Sequence, residues 1–260
     1  MTQKDDRAAR LDATRDDVAA LAAEVRRLVA ATVSADAPRD ALVAAAGEVA
    51  RIADALERHV PTPHPPRYPG GSFAVRDAAD VFPFDPVIGR LSPLAPPVRV
   101  EWHDPVAVGL VRFTVPYEGP PGCVHGAILA ATFDQVFNVA NLMRGVAGPT
   151  RRLEIRYRKP TPLLRELRFE GWVDRVDGRE VHTHGRVLHG DVVTVEAEGT
   201  FVQVSHERVM QLLDAPPAPS DAAPQPPSGE PSAAEPSATK PARESAAARK
   251  RRFRATGDAS

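Results

Sequence analysis

The stretch GPPGCVHGAILAATFD, residues 119–134, runs from a loop of glycine and proline into an apolar segment that contains one aspartate. From Ala127 to Met143 apolar side chains fall on nearly every side of a helix, and a helix that is hydrophobic all round is a buried one. Its polar exceptions, Asp134, Asn138 and Asn141, are spaced by four and three residues and share one stripe, with the small residues Ala127, Ala130 and Ala131 on or near it. An ionised carboxylate is costly to bury without partners. Two readings of the stripe stand side by side: it lines a ligand cleft or subunit interface, or it is a satisfied Asp–Asn network that seats the helix.

The helix start carries a second element. Gly126 lets other groups approach the backbone closely, and the first N–H groups of a helix have no internal partner. Aimed at a carbonyl oxygen, such groups form an oxyanion hole that the helix dipole strengthens. His125 caps the helix, orients the loop or donates to a ligand. Eight residues separate Gly126 from Asp134, about 12 Å along the axis at ~1.5 Å per residue, too far to address one carbonyl within one chain. If both act, Asp134 comes from a neighbouring subunit whose helix runs antiparallel, and function requires a dimer.

Strand patterns surround this helix. VAVGLVRFTV (106–115) alternates, and RLEIRYR (152–158) alternates strictly, with Leu153, Ile155 and Tyr157 on one face and Arg152, Glu154, Arg156 and Arg158 on the other. ELRFEGWVDRV and REVHTHGRVL flank Asp177-Gly178, a two-residue hairpin signal, and HGDV (189–192) makes a second turn before VVTVEAEGTFVQV. The order is strand, long helix, then an antiparallel meander of about four strands. One long apolar helix wrapped by a single sheet satisfies it.

The flanks differ in character. Residues 1–60 read as two helices. In the first, 5–33, Leu11, Thr14, Val18, Leu21, Val25, Leu28 and Thr32 form a narrow seam of coiled-coil type. Asp36 is a plausible cap and Pro38 a first-turn residue for the second, which runs to about His59 with Leu42, Val43, Ala46, Val49, Ile52 and Leu56 on one side. The pair forms a hairpin, joins a partner's helices, or covers the main domain. Residues 61–97 are a proline-rich, extended connector, whose Phe73, Val81, Phe82, Phe84, Val87, Ile88 and Leu91 place it against the fold rather than free of it. The compact domain is 98–206. The Pro/Ala/Ser-rich tail, 214–260, is expected to be disordered and ends in a basic cluster around Arg249–Arg254.

Composition narrows the function classes. A formal net charge of −1 argues against binding nucleic acid by bulk charge. The charged N-terminus is unlike a signal peptide, no apolar run reaches the length of a membrane span, and a single cysteine suits a reducing cytosol, so a cytoplasmic protein is expected. Cys123 and His125 make a Cys-x-His, whereas catalytic Cys–His pairs are normally distant in sequence. His182 and His184 share a strand face near His189 without completing a metal-ligand spacing, and no phosphate-binding glycine signature occurs; no metal or cofactor is expected. Arg156, Arg158, Lys159 and Arg179 either hold a phosphorylated ligand or form a solvated sheet edge.

GPPGCVHGAILAATFD, PTRRLEIRYRKPTPL and VDRVDGREV together resemble the hotdog-fold thioesterase superfamily, with most similarity to its PaaI-like and mammalian thioesterase-superfamily-member branch of acyl-CoA thioesterases. The resemblance covers about residues 98–204 and rests on His-Gly at the helix start, Asp nine residues after the His, and Tyr-basic-basic-Pro closing the next strand. It implies an α+β chain built on a hotdog domain, a long central helix wrapped by an antiparallel sheet; the N-terminal helical hairpin before it and the disordered tail after it lie outside the resemblance. It also implies edge-to-edge dimers, often paired into tetramers, and hydrolysis of acyl-CoA between protomers. By position Asp134 matches the catalytic carboxylate, as general base or nucleophile. Gly126 matches the backbone donor to the thioester carbonyl, and Thr150 the Ser or Thr that positions water or the carboxylate. His125, Arg156, Arg158 and Arg179 match substrate-binding positions. Two residues depart from the pattern: Ala127 replaces the second glycine of His-Gly-Gly, and Gly119 stands where some relatives place an Asn that orients water. The alternative function is a non-catalytic hotdog module that binds acyl-CoA or a partner protein.

Overall fold

Four residues on four neighbouring strands, Ala107, Gly171, Gly185 and Ala197, lie directly opposite one another in register. They make a row of small side chains across the sheet, and the central helix sits on it. A computed structural model describes residues 3–61, 82–96 and 98–205. The expected tail, 214–260, and Phe73 and Val81 of the connector lie outside the described residues.

Six antiparallel strands form the sheet: β1 (Arg99–His103), β2 (Val106–Arg112), β3 (Thr150–Tyr157), β4 (Glu166–Asp177), β5 (Glu180–His189) and β6 (Val192–Val202), in the order β1-β2-β4-β5-β6-β3. β4, β5 and β6 are the expected meander. β3 crosses over to pair with β6 and becomes the last strand of the sheet. β1, which the sequence reading left inside the compact domain without naming it as a strand, pairs with β2 at the other end. Asp177 still pairs with Glu180, so the first hairpin turn is Gly178-Arg179, one residue beyond the expected pair.

The apolar segment 126–143 forms α3 (Gly126–Met143). Phe133, Val136 and Phe137 are fully buried against the inner face of the sheet. A Cβ added to Gly185, Gly199 or Gly171 would lie 2.5, 2.9 or 3.0 Å from Phe137 ring atoms, so the ring occupies space that any side chain there would need. Edge-on contacts between Phe133 and Phe169 (5.2 Å) and between Phe137 and Phe201 (6.3 Å) complete the core. Each such buried side chain contributes about 1.5–3 kcal/mol by removal from water.

The N-terminal region is α1 (Gln3–Ser34) and α2 (Arg39–Glu57), joined by residues 35–38. α2 starts on Pro38 with no side-chain cap, so Asp36 does not serve as one. α1 packs on the short 3-10 turn Val115–Tyr117, its Ala22 is buried, and its Arg26 donates to the Ser92 carbonyl oxygen at 2.8 Å. Of the expected seam, Leu11, Val18 and Val25 are half-buried while Leu21 and Leu28 are exposed. α2 has no buried residue, and Leu42, Val43, Val49, Ile52 and Leu56 all face solvent. The described part of the connector, 82–96, is a series of turns rather than an extended chain. It buries Ile88, Leu91 and Asp85. The Asp85 carboxylate accepts from the Val87 and Ile88 N–H groups and, at 3.0 Å, from Gln135 of α3, which pins the connector to the helix beside Asp134. Among the described residues no helix is long and apolar enough to cross a membrane.

Candidate active site

The loop before α3 is held on both sides. The Gly119 N–H donates to the Cys123 carbonyl oxygen, Val124 N–H to Thr161, and His125 N–H to Tyr117, each at 2.9 Å. Gly122 N–H reaches the Glu118 carboxylate at 2.6 Å. A Cβ on Gly119 would lie 2.8 Å from the Cα of His125, so the loop closes only over a glycine.

His125 is the N-cap of α3. Its Nδ1 accepts from the Ala127 N–H at 3.0 Å, so in this geometry Nδ1 carries no proton and Nε2–H is the ring's donor. Its carbonyl oxygen takes the N–H groups of Ile128 and Leu129. In the first turn the Gly126 N–H is thus left without a partner among the described residues. Of the two N–H groups at this turn, the one expected from the sequence as a donor to a carbonyl is thus the free one: Ala127, in place of a second glycine, spends its own N–H on the cap. The same contact leaves His125 without a free Nδ1 to take a proton from Cys123, which is half-buried.

Asp134 is half-buried, and its Oδ1 accepts from the Thr150 hydroxyl at 2.7 Å. Strict alternation places Thr150 on the outer face with Arg152. A β-bulge at Arg151 prevents this: Thr150 pairs with Phe201 and Arg152 with Thr200, so two residues of β3 oppose one step of β6. The extra residue turns Thr150 to the helix side, as bulges beside functional sites do. At the other end of β3 the Tyr157 hydroxyl donates to the Gly126 carbonyl oxygen at 3.0 Å. β3 and α3 therefore run antiparallel, with Asp134 over Thr150 and Gly126 over Tyr157.

The polar stripe divides. Asn138 is half-buried like Asp134, but Asn141 is fully buried, accepting from the Thr183 hydroxyl at 2.6 Å while its own Nδ2 lacks a partner among the described residues. The structural reading of the stripe, a buried network that seats the helix, thus describes its Asn141 end.

Arg156 and Arg158 project from the outer face of β3, away from α3. Arg156 pairs with Glu154 and Glu198, and these contacts, the Glu154 hydrogen bond foremost, raise its pKa. Arg158 pairs with Glu196. Arg179 sits in the β4–β5 turn, donating to the Gln203 carbonyl oxygen, at the Thr150 end of the sheet. One chain therefore brings Asp134 and Thr150 together and does not gather the three arginines. His182 and His184 lie within 4.0 Å of Asp177, Glu180 or Asp174. Among the described residues no group of three His, Cys, Asp or Glu side chains is placed to hold a metal ion.

The sequence reading named no role for Tyr157 beyond the motif. Its signal was a phenol on the same strand face as Leu153 and Ile155, a polar tip on an apolar stripe. The Asp85–Gln135 contact carried no local signal, because its partners are fifty residues apart.

Comparison with known proteins adds the following. A family model, thioesterase superfamily, matches residues 121–196, a span that holds every candidate site residue named above. Acyl-coenzyme A thioesterase THEM4 of Mus musculus is 29% identical over 103 residues, 39% of this chain and 44% of that protein. The Xenopus laevis protein of the same name is 28% identical over 92 residues, 34% and 41%. The chain spans less than half the length of these curated relatives. A crystal structure of a thioesterase superfamily protein is 38% identical with a TM-score of 0.63, covering 72% of this chain and 90% of that one. That share exceeds what residues 98–260 make up, so the likeness includes residues before 98.

Proposed function

The chain belongs to the thioesterase superfamily, and from that premise we propose that it hydrolyses acyl-coenzyme A thioesters to a free acid and coenzyme A at a site shared between two protomers. The observation that carries this reading is the Thr150–Asp134 hydrogen bond beneath the open edge of β3. Asp134 and the unpaired Gly126 N–H lie at opposite ends of that edge. A two-fold axis through its middle, near Leu153 and Glu154, pairs Thr150 with Tyr157 of the partner subunit and sets Asp134 against Gly126 of the partner subunit. The twelve-ångström gap within one chain then becomes a contact between two.

In this site Asp134, held by Thr150, takes a proton from water or attacks the thioester carbonyl itself. The Gly126 N–H of the partner subunit receives the developing oxyanion. In the base route the hydroxide adds to the carbonyl, collapse breaks the carbon–sulfur bond to give the acid, and the coenzyme A thiolate takes the proton held by Asp134. In the nucleophilic route collapse leaves the acyl group on Asp134 as a mixed anhydride, which a water then opens to the acid while its proton goes to the thiolate. His125 offers Nε2–H to the substrate. The same two-fold axis brings the Arg179 end of one sheet alongside the Arg156–Arg158 end of the other, so cations that one chain separates converge on the coenzyme A portion. A homodimer is the minimum unit, and pairing of dimers into a tetramer is compatible with it.

Asp134→Asn keeps the shape and the Thr150 contact but removes the base. Thiol release from a panel of acyl-CoA substrates is expected to fall at least about a hundredfold, with an unchanged thermal midpoint. Hydrolysis at the wild-type rate would overturn the mechanism. The close seat of Gly119 against His125 favours a second reading, a hotdog module that binds acyl-CoA or a partner protein without turnover. That module would bind acyl-CoA and release no thiol from any member of the panel.

A further inference from the structure

We propose that Tyr157 is a positioning residue of this site: its hydroxyl, donated to the Gly126 carbonyl oxygen, holds the backbone that presents the oxyanion donor. The inference rests on the thioesterase reading above and adds to it a residue that acts through another.

The oxyanion donor belongs to a glycine, the residue whose backbone is least restricted. Nothing in Gly126 itself keeps its N–H aimed, so the aim must come from outside. The peptide unit that carries this N–H is held through its own oxygen, the His125 carbonyl, which takes the Ile128 and Leu129 N–H groups. Two further contacts fix the next unit, the one that joins Gly126 to Ala127, so that Gly126 is bracketed on both sides. The oxygen of this second unit takes the Tyr157 hydroxyl at 3.0 Å, and its N–H gives to His125 Nδ1 at 3.0 Å. The second unit is gripped at both ends, once from the edge strand and once from the cap. The bonds form a series, hydroxyl to carbonyl and amide N–H to imidazole, in which each polarises the next and leaves Nε2–H of His125 as the outward donor.

The space around Gly126 agrees. A Cβ there would lie 2.9 Å from the Tyr157 hydroxyl oxygen and 3.1 Å from Cζ. A side chain at position 126 would push the Tyr157 ring tip away, so the close approach of hydroxyl to carbonyl uses the space a glycine leaves. Within one chain Tyr157 is 56% exposed. Among the described residues its hydroxyl makes one hydrogen bond, which spans 31 residues to a single carbonyl.

The test uses the full chain and three replacements. Tyr157→Phe removes the donor. Genetically encoded 4-aminophenylalanine restores a donor at the same place, and 4-methylphenylalanine fills the same volume without one. With acyl-CoA substrates, Tyr157→Phe and the 4-methyl variant are expected to lose about five- to tenfold in kcat with KM changed by less than about twofold. The 4-amino variant is expected to recover to within about twofold of wild type. Independently of turnover, the carbonyl 13C resonance of Gly126 moves upfield in Tyr157→Phe and returns with the 4-amino group. Wild-type kcat in Tyr157→Phe, or an equal loss in the 4-amino and 4-methyl variants, overturns the proposal. If Tyr157→Phe does not fold, the isosteric 4-amino and 4-methyl pair decides. A wild-type protein that turns over no acyl-CoA overturns the thioesterase reading, and an unmoved Gly126 resonance overturns the tyrosine contact whatever the turnover.

Discussion

Gly119 touches the backbone of His125, and that contact decides what the position can hold. An asparagine there, the residue some relatives use to orient water, would push its Cβ to within 2.8 Å of the His125 Cα. Gly119→Asn is therefore expected to displace the cap instead of supplying a water-binding amide. The thermal midpoint should fall by an amount equivalent to about 1–3 kcal/mol, and thiol release should fall with it. A rise in kcat without loss of stability would contradict this. At this scale the sequence was informative where chemistry was local. His125, Gly126 and Asp134 stood out from their types and spacing, and the pairing of Asp134 with Thr150 followed from resemblance. Tyr157 was placed on the correct strand face, but its partner lies 31 residues away, and no periodic pattern encodes a contact of that range.

The elements divide by what covers them. α3 was legible to the residue, since apolar side chains on all sides admit only a buried helix. The meander was legible because turn residues and alternation mark it. That β3 pairs with β6 was not, because strand order depends on which edges meet, not on either strand's pattern. α2 shows an apolar stripe as regular as that of a packed helix, yet its residues are exposed. Amphipathicity reports that a face fits a partner surface and says nothing of where that surface is. Leu42→Ser, Ile52→Ser and Leu56→Ser are each expected to shift unfolding by no more than about 0.5 kcal/mol, whereas Phe137→Ala should cost about 3–5 kcal/mol. Chemical denaturation at low protein concentration measures both. A cost near that of Phe137→Ala for any of the three serine variants would show that α2 is covered in solution.

Over the whole molecule, stability at high pH is tied to the same corner as the site. Tyr117 is half-buried, packed edge-on against Phe113, and its carbonyl oxygen receives the His125 N–H. Burial raises its phenol pKa, with Arg26 of α1 opposing the rise. A phenol that ionises less readily in the folded state than in the unfolded one holds its proton more tightly when folded. Its contribution is fully present below the unfolded value of about 10 and is lost as pH climbs through the raised folded value. The thermal midpoint of the wild-type protein should thus fall more steeply above about pH 10 than that of Tyr117→Phe. Parallel curves between pH 9 and 11.5 would refute this.

The bulge at Arg151 has a further consequence, and it concerns counting. What turns Thr150 toward Asp134 is the number of residues between Thr150 and Leu153, not the identity of any of them. No substitution at 151 or 152 can rotate Thr150 back, because the phase of a strand changes only when the chain is lengthened or shortened by one. Two chains that agree letter for letter around this threonine, but differ by one residue of length beside it, would present the hydroxyl to opposite faces. In this protein the hydroxyl that steadies Asp134 is written in the spacing of the chain as much as in its letters.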